Sequence, residues 1–172
     1  MDAFARGVAA LSRFFGVVAA LMIVLSVLVV CQMVFVRAVL GQSTVWQTPF
    51  VTYLLVGATF LGSPYVLLLK GHVNVDLLPL YLPHPARKVL AFLAAALSLA
   101  FCLLLFIKGV EFWHEAYAKH WTSSSVWRIP LWIPYLSLPL GMGLVCLQYL
   151  ADIYNLATGK DLPFGLKAED TL

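Results

Sequence analysis

The stretch that decides the fold is Phe14–Val36, with the sequence FFGVVAALMIVLSVLVVCQMVFV. It runs for 23 residues without a charged side chain. A helix of about 20 residues crosses a hydrocarbon core about 30 Å thick. The apolar residues are continuous rather than alternating, which favours a helix over a barrel strand. The run is also longer than the apolar part of a secretory signal peptide, about 7–15 residues. We therefore expect a retained transmembrane helix.

Three further uncharged stretches follow, at 45–69, 89–107 and 129–151. The composition agrees with a membrane protein, because 62% of the residues are hydrophobic and 11% are charged. Average globular chains carry about 25% charged residues. The connections are too short to separate independent units. The sequence therefore predicts one domain over 1–172, an all-α integral membrane bundle of four transmembrane helices at about 14–36, 45–69, 89–107 and 129–151.

The lysines and arginines set the expected orientation, since cytoplasmic connections carry an excess of these residues. With the N-terminus inside, seven of the eleven fall on the cytoplasmic side. The four left outside are Arg37, Lys108, Lys119 and Arg128. We expect an N-in/C-in topology.

An amphipathic segment, Lys108–Trp121, lies between the third and fourth stretches. Its charged residues fall on another face from its aromatic ones, and Glu115 and Lys119 form a favourable i,i+4 pair. The segment is predicted to be an interfacial helix or a continuation of the third helix beyond the lipid. The alternative is that it packs on a partner subunit. The residues of its aromatic face are Phe112, Trp113, Ala116, Tyr117, His120 and Trp121.

Prolines and small residues predict local features of the helices. Pro64 and Pro139 each remove a helical amide, so a kink is expected at both positions. Small residues in the last three helices allow close packing, either within this bundle or against another subunit. These small residues are Ala58, Gly62, Ala91, Ala94, Ala95, Ser98, Gly141 and Gly143.

A weak internal similarity relates Val45-Trp46-x-x-Pro49 to Val126-Trp127-x-x-Pro130. A repeat of two helical hairpins would place both connections at the same side of the membrane. Chance similarity between apolar sequences is the alternative.

The membrane stretches contain no Asp, Glu, Lys, Arg or His, whereas ion pathways and proton relays normally need such residues at membrane depth. The cysteines Cys31, Cys102 and Cys146 lie singly in three stretches, and no C-x-x-C spacing occurs. No phosphate-binding loop or G-x-S-x-G motif is present. We therefore expect no catalytic, substrate-binding or metal-binding residues, no enzyme activity, no cofactor and no nucleic-acid partner.

The connection Lys70–Leu78, with the sequence KGHVNVDLL, is more polar than a simple turn requires. Gly71 can end the helix, and Lys70 stands at the helix C-terminus, where a cation is favoured. One interpretation is a helix stop followed by re-entry into the membrane. The other is a fixed polar contact, in which His72 and Asp76 pair with each other or with a partner.

Four motifs in order resemble the small membrane subunit of the tripartite ATP-independent periplasmic (TRAP) transporters of bacteria and archaea. They are WxxxFxxYLLV from Trp46, FLGS from Phe60, KGHVxVD from Lys70 and PYxxxPLG from Pro134. The resemblance covers essentially the whole chain. The chain departs from the family pattern at four positions, where two acidic residues, a basic residue and a tryptophan are usual. These positions are Thr48, Pro49, Thr52 and Gly57.

This resemblance implies a non-catalytic small permease subunit in the bacterial inner membrane. In the family, a large membrane subunit carries the substrate and sodium sites and moves like an elevator, and a periplasmic solute-binding protein docks on the outer face. The small subunit scaffolds and stabilises the large one, among membrane lipids, in sodium-driven uptake of solutes such as organic acids. The structural or partner-contact candidates are Trp46, Tyr53, Gly62, Lys70, His72, Asp76, Trp113 and Pro139.

Two other functions remain open from the residues alone. One is a haem-binding membrane anchor subunit of a redox complex, although all four histidines lie outside the four uncharged stretches, in segments expected to be connections. The other is a self-associating four-helix channel, although no charged residue is available to line its pore.

Overall fold

The computed structural model describes residues 2–69, 84–125 and 127–158. The helices in these ranges are α1 (Asp2–Val39), α2 (Gln47–Leu68), α3 (His84–Ala118), α4 (Trp132–Tyr135) and α5 (Ser137–Ala157). Four segments are long and apolar enough to cross a membrane: Phe4–Val39, Gln47–Leu68, Val89–Ala118 and Trp132–Ala157. The predicted all-α class with four membrane-spanning helices is confirmed.

Helix α5 is the centre of the bundle. Helix α1 packs mainly along α2, α2 also packs on α5, and α3 packs mainly on α5. Accordingly, α5 supplies about half of the buried hydrophobic side chains, including Met142, Val145 and Ala151. Helix α3 lies at the flank, and none of the residues in its most apolar stretch is buried. The chain therefore leaves much apolar helix surface for lipid or for another membrane protein.

The helices form two antiparallel hairpins, α1–α2 and α3–α5. Ser12 contacts Gln148, so the start of α1 lies beside the later part of α5. Trp46 contacts Trp127, so the connections after α1 and α3 meet at the opposite end. We call these the termini end and the aromatic end. This placement agrees with the internal similarity around the two tryptophans.

Two helices extend well beyond their predicted bounds. Helix α1 begins at Asp2, and α3 continues to Ala118. The amphipathic segment is thus a continuation of the third helix, and the described part contains no separate interfacial helix there. Lys108 pairs with Glu111 at 2.7 Å within this extension, and Lys119, just after its end, pairs with Glu115. At 1.5 Å per residue α3 is about 52 Å long, more than a hydrocarbon core of about 30 Å requires.

The two prolines differ in their effect on the helices. Helix α2 continues through Pro64 as one uninterrupted α-helix. The fourth membrane segment is interrupted at Leu136, between α4 and α5, and Pro139 lies in the first turn of α5. A proline is tolerated there because amides of the first turn have no helical acceptor. Pro139 was expected inside a helix, whereas it lies near the start of one.

Candidate partner-contact site

An aromatic cluster joins α2 to the connection between α3 and α4. The ring of Trp46 lies 5.8 Å from that of Phe50 and 5.9 Å from that of Trp127, and Phe50 lies 5.9 Å from Trp127. Trp46 and Trp127 are each about two-fifths exposed. Tryptophan is favoured at the membrane–water interface, where one part of the ring is wet and the rest is apolar. The cluster therefore marks an interfacial surface at the aromatic end.

Hydrogen bonds hold the connection 119–131 over this cluster. The amide of Ser123 donates to the carbonyl of Ile129 at 2.8 Å, and the amide of Leu131 donates to the carbonyl of Trp121 at 2.8 Å. The hydroxyl of Tyr53 on α2 donates to Ser123 Oγ at 3.1 Å. The candidate residue Tyr53 thus links α2 to a hairpin-like loop 70 residues further along the chain.

Replacing Tyr53 by phenylalanine should loosen this loop without unfolding the helices. One lost hydrogen bond between membrane segments costs about 0.6 kcal/mol, which corresponds to about a threefold faster exchange of the loop amides with solvent. Hydrogen–deuterium exchange of residues 121–131 measures the change. Tyr154→Phe on α5 is the control and should leave these rates as in the wild type. Equal rates in Tyr53→Phe and wild type would contradict the assigned role of Tyr53.

A second aromatic row joins α3 to α4. Phe112 lies 4.8 Å from Tyr135 and 5.7 Å from Trp121, measured between ring centroids. The candidate residue Trp113 stacks on Tyr117 at 5.9 Å. Its Nε1 is buried and has no hydrogen-bond partner in the described part of the chain. The continuation of α3 is therefore fixed to this chain's own α4 by aromatic contacts.

The candidate residue Gly62 and the buried residue Pro139 both lie where two helices pack closely together. A Cβ added to Gly62 would lie 3.2 Å from Ala19 Cβ, so Gly62 lies at the α1–α2 crossing. A Cβ added to Gly109 on α3 would lie 3.6 Å from the backbone nitrogen of Pro139. Gly62 and Pro139 thus serve packing inside the bundle, one against α1 and the other against α3.

The closest crossing involves Gly141 on α5 and the carbonyl of Phe60 on α2. A Cβ added to Gly141 would lie 2.6 Å from the Phe60 carbonyl carbon. That carbonyl has no helical amide to accept from, because the residue four positions later is Pro64. The proline therefore frees a carbonyl at the point where the glycine allows another backbone to approach it.

A polar link connects α1 and α5 toward the termini end. Ser12 Oγ donates to Gln148 Oε1 at 3.3 Å, and Gln148 Nε2 donates to Asp152 Oδ1 at 3.0 Å. Ser12 is 0% exposed and Gln148 4% exposed. Buried side chains of this kind hydrogen-bond across membrane helices and set their relative position.

The described residues offer little chemistry beyond packing. No group of three or more His, Cys, Asp or Glu able to hold a metal ion occurs in the part of the chain that the structure describes. Cys31, Cys102 and Cys146 are free and lie on three different helices, as predicted. The two ion pairs on α3 are exposed and contribute little to stability.

The predicted site residues fall into three groups. Trp46 and Tyr53 meet the loop at the aromatic end, whereas Gly62, Trp113 and Pro139 pack at separate helix contacts. Lys70, His72 and Asp76 lie outside the described residues, so their pairing stays a prediction. Two of the departures from the family pattern take local roles. Thr52 donates to the carbonyl of Thr48, and Gly57 faces the side chain of Met22.

The sequence interpretation missed three packing residues. These are Ser12, Gly16 and Gly109, which allow close contact with α5, α2 and α5, respectively. For α1 the signal was present, because small residues recur at helical spacing on one side of the apolar stretch. That stripe is Ser12, Gly16, Ala19 and Ser26, each of which is buried.

Comparisons with known proteins agree on one family. The family described as "Tripartite ATP-independent periplasmic transporters, DctQ component" matches residues 26–159. A C4-dicarboxylate TRAP transporter small permease protein DctQ from Vibrio cholerae is 24% identical, with 74% of this chain and 64% of that protein aligned. The protein of the same description from Rhodobacter capsulatus is 27% identical, over 72% of this chain and 54% of its own length. No solved structure matches.

The chain belongs to the DctQ family of TRAP transporter components. It spans about two thirds or less of the length of the two curated relatives. The family membership and the four apolar helices make it a multi-pass protein of the bacterial inner membrane. The family is one of transporter subunits and not of enzymes, and the haem-anchor alternative receives no support from these matches.

Proposed function

We propose that this chain is the non-catalytic small permease subunit of a TRAP transporter, scaffolding and stabilising the large transport subunit during sodium-driven solute uptake. The observation that carries the proposal is the match to the DctQ component over residues 26–159. It fits a chain whose four uncharged stretches contain no Asp, Glu, Lys, Arg or His at membrane depth. In this proposal the substrate and sodium sites lie in the large subunit.

Two exposed apolar stripes support a scaffolding role. One follows the outer side of α1 and the other follows α3, at the helical spacing of three and four residues. Helix α3 contacts mainly α4 and α5, and its stripe is exposed in the part of the chain that the structure describes. The stripes are Phe14, Val17, Leu21, Val24, Leu28 and Phe35 on α1, and Val89, Leu93, Leu97, Phe101 and Leu104 on α3. We propose that one of them contacts the large subunit and that lipid covers the other.

The proposed orientation is N-in/C-in, which puts the aromatic end in the periplasm. The solute-binding protein would then dock on the side that carries Trp46 and the loop 119–131. The placement of Lys and Arg supports this orientation. A C-terminal fusion to alkaline phosphatase should be inactive, and a fusion to green fluorescent protein should fluoresce. The reverse pair of results would overturn the orientation.

Reconstitution tests the proposed function. The large subunit of the same transporter is placed in liposomes with or without this chain, together with the binding protein and an inward sodium gradient. Succinate is the first substrate probe, because both relatives are described as C4-dicarboxylate transporters. A panel of other carboxylates and sulfonates follows. We expect sodium-dependent uptake only when both membrane subunits are present, and the two should co-purify. Full uptake by the large subunit alone would falsify the scaffolding role.

A further inference from the structure

An apolar groove of about 420 Å³ opens between α2 and the α4–α5 segment, with Met22 of α1 at one side. We call it the lateral groove. Its volume lies in the range of about 300–1,000 Å³ that is usual for ligand sites. Ile133 and Leu140 line it and are about half exposed, so the groove is open along the α4–α5 side. The lining residues that α2 contributes are Phe50, Tyr53, Leu54, Gly57 and Leu61.

The wall of the lateral groove presents hydrocarbon. Among the described lining residues, Tyr53 and Ser137 carry hydroxyl groups, and Trp127 at the interfacial end carries an indole N–H. Both hydroxyls already donate within this chain, Tyr53 to Ser123 Oγ at 3.1 Å and Ser137 to the carbonyl of Pro134 at 2.7 Å. A polar solute would lose its hydration along most of this wall and gain few hydrogen-bond partners. The groove therefore fits an apolar occupant.

The length and position of the lateral groove suit an acyl chain. From Phe50 to Leu61 it follows α2 for about 17 Å, close to the thickness of one leaflet of a core about 30 Å thick. The groove starts at the level of Trp127, where the aromatic end meets the interface. An acyl chain that begins at the headgroup level and runs to the bilayer midplane has this placement.

An exposed cation lies in the chain between two residues that line the groove. Arg128 lies between Trp127 and Ile129, which both line the groove, and it is exposed. Its φ is 41°, a left-handed conformation that is unusual for a residue with a side chain. No carboxylate among the described residues pairs with it. An arginine at the interface binds a phosphate oxygen through charge-assisted hydrogen bonds.

We propose that the lateral groove binds one acyl chain of a phospholipid, with the phosphate of that lipid held by Arg128. The bound chain fills the space between α2 and α5 that the side chains leave open. The site belongs to this chain alone, so its test does not depend on the proposed transport function.

Native mass spectrometry of the purified full-length chain tests the acyl part of the proposal, with palmitoyl-oleoyl phosphatidylglycerol as the probe. Leu140→Trp fills the groove. Leu150→Trp is its matched control, because Leu150 is similarly exposed on α5 and does not line the groove. Each methylene moved out of an apolar site costs about 0.8 kcal/mol, so displacing two or more weakens binding at least tenfold. We expect this loss for Leu140→Trp and unchanged binding for Leu150→Trp.

The phosphate part is tested with a diacylglycerol that has the same two chains. Arg128→Gln should weaken binding of phosphatidylglycerol about tenfold, and binding of the diacylglycerol should not change. Arg37→Gln, at the end of α1, is the control and should behave as the wild type. If phosphatidylglycerol and the diacylglycerol bind the wild type equally, Arg128 does not hold a phosphate.

A measurement on the wild type covers the case in which the tryptophan variant does not fold. A phospholipid with a photoreactive diazirine in one acyl chain is added, irradiated, and its attachment sites are mapped. We expect the label on Leu54, Ile133 and Leu140. Label spread evenly over the exposed leucines of α1 and α3 would overturn the proposal. So would a Leu140→Trp variant that keeps its lipid but no longer binds the large subunit, since a partner helix would then be the occupant.

Discussion

Replacing Gly141 by alanine is expected to destabilise the whole bundle. The added Cβ would lie 2.6 Å from the carbonyl carbon of Phe60 and 3.0 Å from its Cβ. The obstacle is mostly backbone, so no rotamer change can relieve it, and α2 and α5 must move apart. Overpacking of this kind costs about 1–3 kcal/mol. For a chain of this size that lowers the midpoint of thermal unfolding by about 3–10 °C.

Scanning fluorimetry of the purified protein in mild detergent measures this midpoint through its five tryptophans. Gly143→Ala is the matched control on the same helix. Its added Cβ would lie 3.1 Å from the ring of Phe106, a side chain that can turn. We expect a shift for Gly143→Ala that is well below that of Gly141→Ala. Equal midpoints for Gly141→Ala and the wild type would show that the α2–α5 crossing is looser than described.

Replacing Gly16 by leucine should separate α1 from α2. The glycine is buried, and a Cβ at this position would lie 2.8 Å from Tyr65 Cβ, so a larger side chain has no room. Helix α1 packs mainly on α2, and its remaining contact with α5 is smaller. We therefore expect a loss of about 2 kcal/mol or more, seen as a lower unfolding midpoint and faster proteolysis near α1.

Two further variants isolate the cause. Gly7→Leu is the matched control on α1, because nothing lies within 4 Å of a Cβ added at Gly7. Tyr65→Ala should partly rescue Gly16→Leu by making space, with a coupling free energy of about 1–2 kcal/mol in a double-mutant cycle. Additive effects of the two substitutions would place the leucine against some other residue than Tyr65.

The fold class could be predicted because membrane spans are set by the length of uncharged apolar runs, which a sequence displays directly. The ends of the helices could not be predicted in this way. Hydropathy reports where lipid contacts the chain, whereas a helix continues as long as its backbone hydrogen bonds do. Helix α1 therefore begins at Asp2, and α3 continues through Lys108 and Glu115 to Ala118.

Site residues could be predicted only where the residue type itself has a preferred location, such as tryptophan at the membrane–water interface. Trp46 was singled out, but its contact with Trp127 depends on the tertiary structure, because 81 residues separate the two tryptophans. Gly16 was overlooked because it lies in a run where every residue is compatible with lipid. Only the face that it shares with Ser12 and Ala19 distinguishes it. For Pro139 a kink was predicted, and the fourth membrane segment is interrupted at Leu136, three residues before this proline.

The packing order of the helices has a consequence for synthesis of the chain. Helices α1 and α2 are neighbours in sequence and in space, so this hairpin can assemble as soon as both have entered the membrane. Helix α3 has its main partners, α4 and α5, still to come. It must wait in the lipid until the last helix leaves the ribosome. A chain that stops before Ser137 would therefore carry an inserted third helix without a docking partner, a form that membrane quality-control proteases could recognise.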